Sequence, residues 1–169
     1  YAEKGEGELE YNTEDGKTYY VAGIGSVSGD TLFIPEIYNG KPVTKIAMTA
    51  FKNNVNLKTV YIPKTITFIG DEAFSGCTSV EYINIPATVT DFDLDSLSEF
   101  TSLKVLSLGK DFEAPLNTPS LNTVFLEEGV KKFNFNSMKS LKGVFLPDSV
   151  EEIPGDAFSG CTALERVNI

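Results

Sequence analysis

Histidine is absent from this 169-residue chain. That removes the usual general base and the commonest neutral metal ligand. The two cysteines, Cys77 and Cys161, therefore have no partner base for nucleophilic catalysis. Carboxylates are the next candidates. Asp91-Phe92-Asp93-Leu94-Asp95 places three acids at alternating positions, as the start of a calcium-binding loop does. Such a loop needs glycine at position six and glutamate at position twelve, and here those positions are Ser96 and Ser102. The stretch reads instead as solvated acids around two core residues, Phe92 and Leu94. Glu127-Glu128 and Glu151-Glu152 are sequence neighbours, and neighbours on an extended chain point apart. Neither a glycine-rich phosphate loop nor a G-x-S-x-G elbow is present. The sequence thus assigns no catalytic residue, no metal ligand and no cofactor.

What remains is a set of aromatic side chains, and placing them requires the elements that carry them. Leu57–Ser79 reads LKTVYIPKTITFIGDEAFSGCTS and Leu141–Ala163 reads LKGVFLPDSVEEIPGDAFSGCTA. Both are 23 residues long and both close on Ala-Phe-Ser-Gly-Cys-Thr. A period in the twenties is the mark of a solenoid. Further rungs start at Val80, Leu103, Leu121 and Leu164, so the intervals from Leu57 are 23, 23, 18, 20 and 23. An earlier strand, Thr31-Leu32-Phe33-Ile34-Pro35, aligns with Thr59-Val60-Tyr61-Ile62-Pro63. The two short rungs lose length after the strand, around Gly109–Pro115 and Phe133–Phe135, where loops on one face absorb the change.

One rung explains itself. Side chains alternate along Val144-Phe145-Leu146, so Val144 and Leu146 face inward and Phe145 outward. Pro147 lacks an N–H and ends the ladder pairing. Val150 and Ile153 supply a second inward pair, and Asp156-Ala157-Phe158 begins a short helical or 3₁₀ turn. Phe51, Phe74, Leu97, Phe135 and Phe158 share one buried column, and truncating such a phenylalanine to alanine costs roughly 3–5 kcal/mol. Cys77 and Cys161 occupy the same slot four rungs apart. At about 4.8 Å per rung they lie about 19 Å from each other, beyond the roughly 7 Å reach of a disulfide. Asn54, Phe100 and Met138 fill that slot elsewhere, so both cysteines are expected to be small buried hydrophobes.

At the N-terminus, Tyr1–Glu10 is acidic and glycine-bearing, and its first residues are expected to be mobile. Leu9-Glu10-Tyr11 faces Tyr19-Tyr20-Val21 across Thr13–Lys17, whose Asp15-Gly16 pair is a hairpin signal. A terminal hairpin here is expected to cover the apolar end of the first rung. The organisation follows: residues 1–30 form a flexible segment and hairpin cap, and residues 31–169 form six to seven rungs, the last incomplete.

The pattern L-x-x-V-x-I-P-x-x-V-x-x-I-G-x-x-A-F-x-G-C, nearly complete in the rungs from Leu57 and Leu141, resembles the BspA-like leucine-rich repeat of bacterial surface proteins. The rung from Val80 follows it only through Val89 and departs at Asp95–Phe100, and the short rungs match mainly at the strand. Tyr19–Gly25, then Ile34-Pro35 and Asn39–Val43, resembles the lead-in to such arrays. The resemblance implies a right-handed, mostly β solenoid of the α/β class with a parallel ladder. It also implies an extracellular or cell-surface location, often within a longer chain, and adhesion to host or microbial surface proteins.

The outward face of the ladder is where recognition chemistry gathers. One outward column reads Phe33, Tyr61, Asn84, Ser107, Phe125, Phe145, Asn168, and the column two residues earlier reads Thr31, Thr59, Tyr82, Val105, Thr123, Gly143, Arg166. Grouped exposed aromatics mark binding surfaces, so Phe33, Tyr61, Tyr82, Phe125 and Phe145 are the candidate ligand-binding residues. Lys58, Lys104 and Lys142, alternating with Glu81 and Glu165, rim them. The ligand class is a protein or a glycan. Three other readings stand beside this one: the aromatics stack along the ladder for stability, the N-terminal segment or a neighbouring domain covers Phe33 and Tyr61, or the chain is a spacer arm presenting another domain.

Charge narrows the partners further. The formal net charge is −10, and no basic run exceeds Lys131-Lys132, which disfavours nucleic acid and anionic membrane surfaces. No apolar run is long enough to insert in a membrane. The chain starts at Tyr1 rather than Met, consistent with removal of an N-terminal segment. Leu164–Ile169 is the front of another rung without a polar cap, which predicts either a longer native chain or an end-to-end homodimer through that edge.

Overall fold

The inward aliphatics of each rung dictate the architecture. Val60, Ile83, Leu106, Val124 and Val144 are all fully buried and stack at the same position of successive turns. A computed structural model describes residues 7–168; the expected mobility of the first residues and the terminal edge at Ile169 lie outside the described part. In chain order the strands are β1 (Glu10–Asn12), β2 (Tyr19–Gly23), β3 (Thr31–Phe33), β4 (Ile37–Tyr38), β5 (Lys41–Ile46), β6 (Thr59–Tyr61), β7 (Phe68–Ile69), β8 (Tyr82–Ile85), β9 (Val105–Leu108), β10 (Thr123–Leu126), β11 (Gly143–Phe145) and β12 (Arg166–Asn168). Seven of them form one parallel ladder in the order β12-β11-β10-β9-β8-β6-β3. The chain is the expected mostly β solenoid.

A smaller sheet, which the repeat pattern did not reveal, lies outside the ladder. The β1/β2 hairpin pairs antiparallel with Tyr11 opposite Val21. Strand β2 then runs parallel to β5, which runs parallel to β7 and antiparallel to β4. This sheet brings successive turns very close at Gly70, where a Cβ would sit 2.4 Å from the Met48 backbone nitrogen. The hairpin buries Leu9 and Val21 against the core, as a cap should. It does not, however, pair with the first ladder strand. Among the described residues β3 has a strand partner only on its β6 side.

The far side of four turns is held by a residue in the left-handed region. Asn53 (φ 60°), Gly76 (φ 73°), Ser137 (φ 64°) and Gly160 (φ 74°) occupy equivalent places just before the cysteine slot. Glycine reaches this conformation without strain, which explains the Ser-Gly-Cys signature. In the rung from Val80 the place falls to Glu99, and Leu94–Glu99 winds into a 3₁₀ helix instead. The side chain of Asp93 caps that helix by accepting from the Asp95 amide at 3.0 Å. One acid of the alternating triplet is therefore a helix cap. Asp156–Phe158 forms hydrogen-bonded turns rather than a helix.

Three packing expectations need correction, two of them for the same reason. Cys77 is fully buried, but Cys161 is only partly so. Ile153, expected inward, is 38% exposed, whereas its counterparts Ile69 and Phe133 are buried. Both residues lie in the last full turn of the described chain, where no further turn covers them. The third concerns the aromatic column. It follows Phe51, Phe74 and then Phe100, not Leu97, with ring centroids 5.1 and 6.1 Å apart. The 3₁₀ helix moves Phe100 into the stack, while Leu97 stays fully buried beside it. Phe135 and Phe158 resume the stack at 5.6 Å.

Candidate binding face

The ladder register puts the outward residues in file. Asn84 lies opposite Ser107, Ser107 opposite Phe125, Phe125 opposite Phe145, and Phe145 opposite Asn168. At the other end Phe33 lies opposite Tyr61. Inward neighbours such as Val60 and Val124 are closed to solvent, yet Phe33, Tyr61 and Phe125 stay about 40% exposed. Tyr82 and Phe145 are half-buried. The structure brings the five candidates together as two groups, not one stripe.

The first group is Phe33, Tyr61 and Tyr82. Phe33 and Tyr61 stack face to face, 4.7 Å apart and 5° from parallel, which matches one rung of the ladder. Tyr82 comes from the neighbouring column and tilts against Tyr61 at 5.1 Å and 46°. Burial holds the Tyr82 hydroxyl protonated above its ordinary range, helped by Tyr61 and Glu127. The second group is Phe125 and Phe145, stacked at 4.4 Å and 11°. The Arg166 guanidinium covers the far face of Phe145, 4.9 Å from the ring centre, a cation–π contact. A Cβ at Gly143 would meet both the Phe145 ring and Arg166 at 3.9 Å, an ordinary van der Waals contact.

Asn84 and Ser107 separate the groups, and their side chains are engaged. Strands β6 and β8 pair only through Thr59–Tyr82 and Val60–Ile83. Beyond that point the Asn84 amide takes over the ladder: its Oδ1 accepts from the Ile62 N–H at 2.8 Å, and its Nδ2 donates to the Ile62 carbonyl at 2.7 Å. The Ser107 hydroxyl donates to the Glu127 carboxylate at 3.1 Å. Around the face, Lys58 pairs with Asp30 at 3.1 Å and Lys104 with Glu81 at 2.9 Å. Both pairs are solvent-exposed, so they contribute little to stability, but they set a mixed-charge rim.

The other chemical candidates are accounted for by packing. The Cys77 thiol donates to the Phe51 carbonyl at 3.1 Å and the Cys161 thiol to the Phe135 carbonyl at 2.9 Å. Burial pushes both thiols up, away from reactive thiolate. Where a cysteine fills it, the slot thus does more than fill space: it ties that turn to the one before. A cleft of about 330 Å³ near the 3₁₀ helix is lined by Asp71, Glu72, Asp91, Asp93, Asp95 and Glu99 above Phe74, Phe92 and Phe100. Glu72 is engaged by Lys52, whose hydrogen bond holds that carboxyl below its usual range. No group of three acidic or cysteine residues among the described ones is arranged to hold a metal ion. No described helix is long and apolar enough to cross a membrane.

A model of the BspA-type leucine-rich repeat region matches six copies over residues 30–134 and 128–169. The chain belongs to this family. It is also similar to a leucine-rich repeat protein of T. pallidum, at 25% identity and a TM-score of 0.61, over 95% of this chain and 78% of that one. A leucine-rich repeat protein from Bacteroides ovatus shares the fold at 24% identity and a TM-score of 0.52, over 100% of this chain and 53% of that one. A leucine-rich cell surface protein from Faecalibacterium prausnitzii does so at 23% and 0.52, over 95% of this chain and 37% of that one. The chain therefore spans about half of the Bacteroides protein and just over a third of the Faecalibacterium one. No curated protein matches it.

Proposed function

We propose that this BspA-type module is a non-catalytic recognition unit of an extracellular, cell-surface protein, and that it grips a protein partner through the outward face of its ladder. The observation that carries this reading is the pair of half-open aromatic stacks, Phe33–Tyr61–Tyr82 and Phe125–Phe145, on a ladder whose inward neighbours are closed to solvent. Leucine-rich repeats generally mediate protein interactions. Aromatics and arginine are also the side chains that dominate protein interfaces.

Ring orientation favours a protein over a glycan. A sugar packs its C–H bonds on the negatively polarised face of a ring, and stacking presents rims and leaves fewer such faces open, the outer face of Phe33 among them. Here one face of Phe33, Tyr61, Phe125 and Phe145 is covered by the adjacent ring, and the second face of Phe145 by Arg166. Rims of this kind, with Asn84 and Ser107 between them, suit the side chains of an apposed protein surface.

The test is to probe the chain against arrays of host and microbial surface proteins and of glycans, with Phe125→Ser/Phe145→Ser alongside. The expected result is protein capture by the parent chain and its loss in a variant that still folds. Capture of glycans alone, or capture unaffected by the double substitution, contradicts the proposal. A chain that captures nothing favours the spacer-arm reading.

A further inference from the structure

We infer that the open edge of β3 is a second docking site, which takes an extended peptide segment of another protein as one additional rung of the ladder. The main chain dictates this. The amides of Lys58 and Thr59 donate to the Asp30 carbonyl, at 2.7 and 3.0 Å, and the Ile34 amide donates to the Tyr61 carbonyl at 3.1 Å. Main-chain groups alternate sides along a strand. If Asp30 and Ile34 face β6, the N–H and C=O groups of Thr31 and Phe33 face the other way. Among the described residues they have no strand partner. An edge of this kind is a template for strand addition, with main-chain bonds giving affinity and alternate side chains giving selectivity.

A built cleft adjoins this edge. Thr31, Leu32 and Phe33 line it together with Leu9, Val27 and Ile37, in a volume of about 360 Å³. Phe33 stacks one face on Tyr61, so its other face is turned to the place of the added strand. Ile37 is 63% exposed on the border. Glu8 also lines the cleft, and among the described residues no lysine or arginine does.

These features define the occupant: an extended segment with aliphatic residues flanking one aromatic, which stacks on the free face of Phe33, and with basic residues at its ends. The chain's own Leu57–Lys64, LKTVYIPK, has this pattern, and its Thr59–Tyr61 part pairs with the opposite side of β3. It therefore supplies the probe. This site shares Phe33 with the ladder face, but its main-chain pairing runs along the edge of the sheet and does not involve the Phe125–Phe145 pair.

The experiment is fluorescence anisotropy of labelled LKTVYIPK titrated with the whole chain. Three comparisons accompany it: the same peptide N-methylated at alternate residues, a scrambled peptide, and the Val27→Lys variant, which puts a cation and added bulk into the cleft at a half-buried turn position. Saturable binding is expected, at least tenfold weaker for the N-methylated and scrambled peptides and for Val27→Lys. Phe125→Ser/Phe145→Ser is expected to bind the peptide unchanged, which keeps this site distinct from the ladder face. Three results overturn the inference: no binding at millimolar chain, equal binding of the N-methylated peptide, or sedimentation showing the edge occupied by a second copy of the chain.

Discussion

Replacing Asn84 with alanine removes a side chain that stands in for ladder backbone. Both of its hydrogen bonds go to the Ile62 peptide, at 2.8 and 2.7 Å, and Ile62 is only 3% exposed. A typical hydrogen bond contributes a net ~0.5–1.5 kcal/mol, and a buried group left unpaired costs about 1–3 kcal/mol. Two such groups set a range of about 2–6 kcal/mol. Asn84 is itself half-exposed, so water can reach part of the gap, and the expected loss is about 2 kcal/mol. For a chain of this size that is a drop of roughly 4–8 °C in Tm. Urea unfolding followed by circular dichroism measures it, as a lowered midpoint at constant slope. Asn168→Ala is the control: Asn168 holds the same column but contributes its main-chain carbonyl, to the Leu146 amide at 2.9 Å. A loss below about 0.5 kcal/mol for Asn84→Ala, or one equal to the control, would refute the reasoning.

Other expectations follow from the same geometry. Phe135→Ala should cost about 3–5 kcal/mol because Phe135 is fully enclosed. Phe158→Ala, in the same stack but half-buried, should cost about half as much in the same urea experiment. Gly70→Ala forces a Cβ to within 2.4 Å of the Met48 nitrogen and should lower Tm sharply, whereas Gly155→Ala, with nothing within 4 Å, should leave it unchanged. Cys161 should react with a thiol reagent well before Cys77 does, since only Cys77 is fully buried. Tyr11 stacks on Tyr38 at 3.9 Å, and burial, with Tyr38 and Glu8 nearby, pushes its hydroxyl up to about 12. The folded chain then holds a proton that the unfolded chain releases near pH 10, so this contribution is present below about pH 10 and lost as pH rises toward 12. Tyr11→Phe should flatten that alkaline limb of the stability curve.

How much of this was legible in the sequence depended on repetition. The 23-residue period exposed every inward aliphatic of the ladder, because a buried position tolerates only apolar side chains, turn after turn. The same period-two alternation placed Phe33, Tyr61, Phe125 and Phe145 outside. Where a residue's role is to repair an irregularity, the pattern gave no signal. Asn84 reads as one polar residue in an outward column, yet its amide bonds a main-chain peptide of the previous turn. Asp93 read as one of three solvated acids, and its capping role follows from the switch to 3₁₀ winding around Leu94–Glu99. The sheet of β5 and β7 was hidden because it uses only two residues of the second turn, Phe68-Ile69. Gly70 was its one trace. Ile153 and Cys161 differ from their counterparts through position in the stack, which no local pattern encodes.

The proposal that the outward aromatics bind a protein is tested most directly by one pair of measurements on one variant. Phe125→Ser/Phe145→Ser is assayed by biolayer interferometry against the protein captured by the parent chain, and its Tm is recorded beside it. Phe125 is 40% exposed and Phe145 is half-buried, so fold stability should fall only modestly. Losing two interface aromatics of about 1–2 kcal/mol each should raise Kd roughly a hundredfold. A Kd within threefold of the parent value, or melting as severe as for Phe135→Ala, would contradict the account and leave the aromatics as ladder packing.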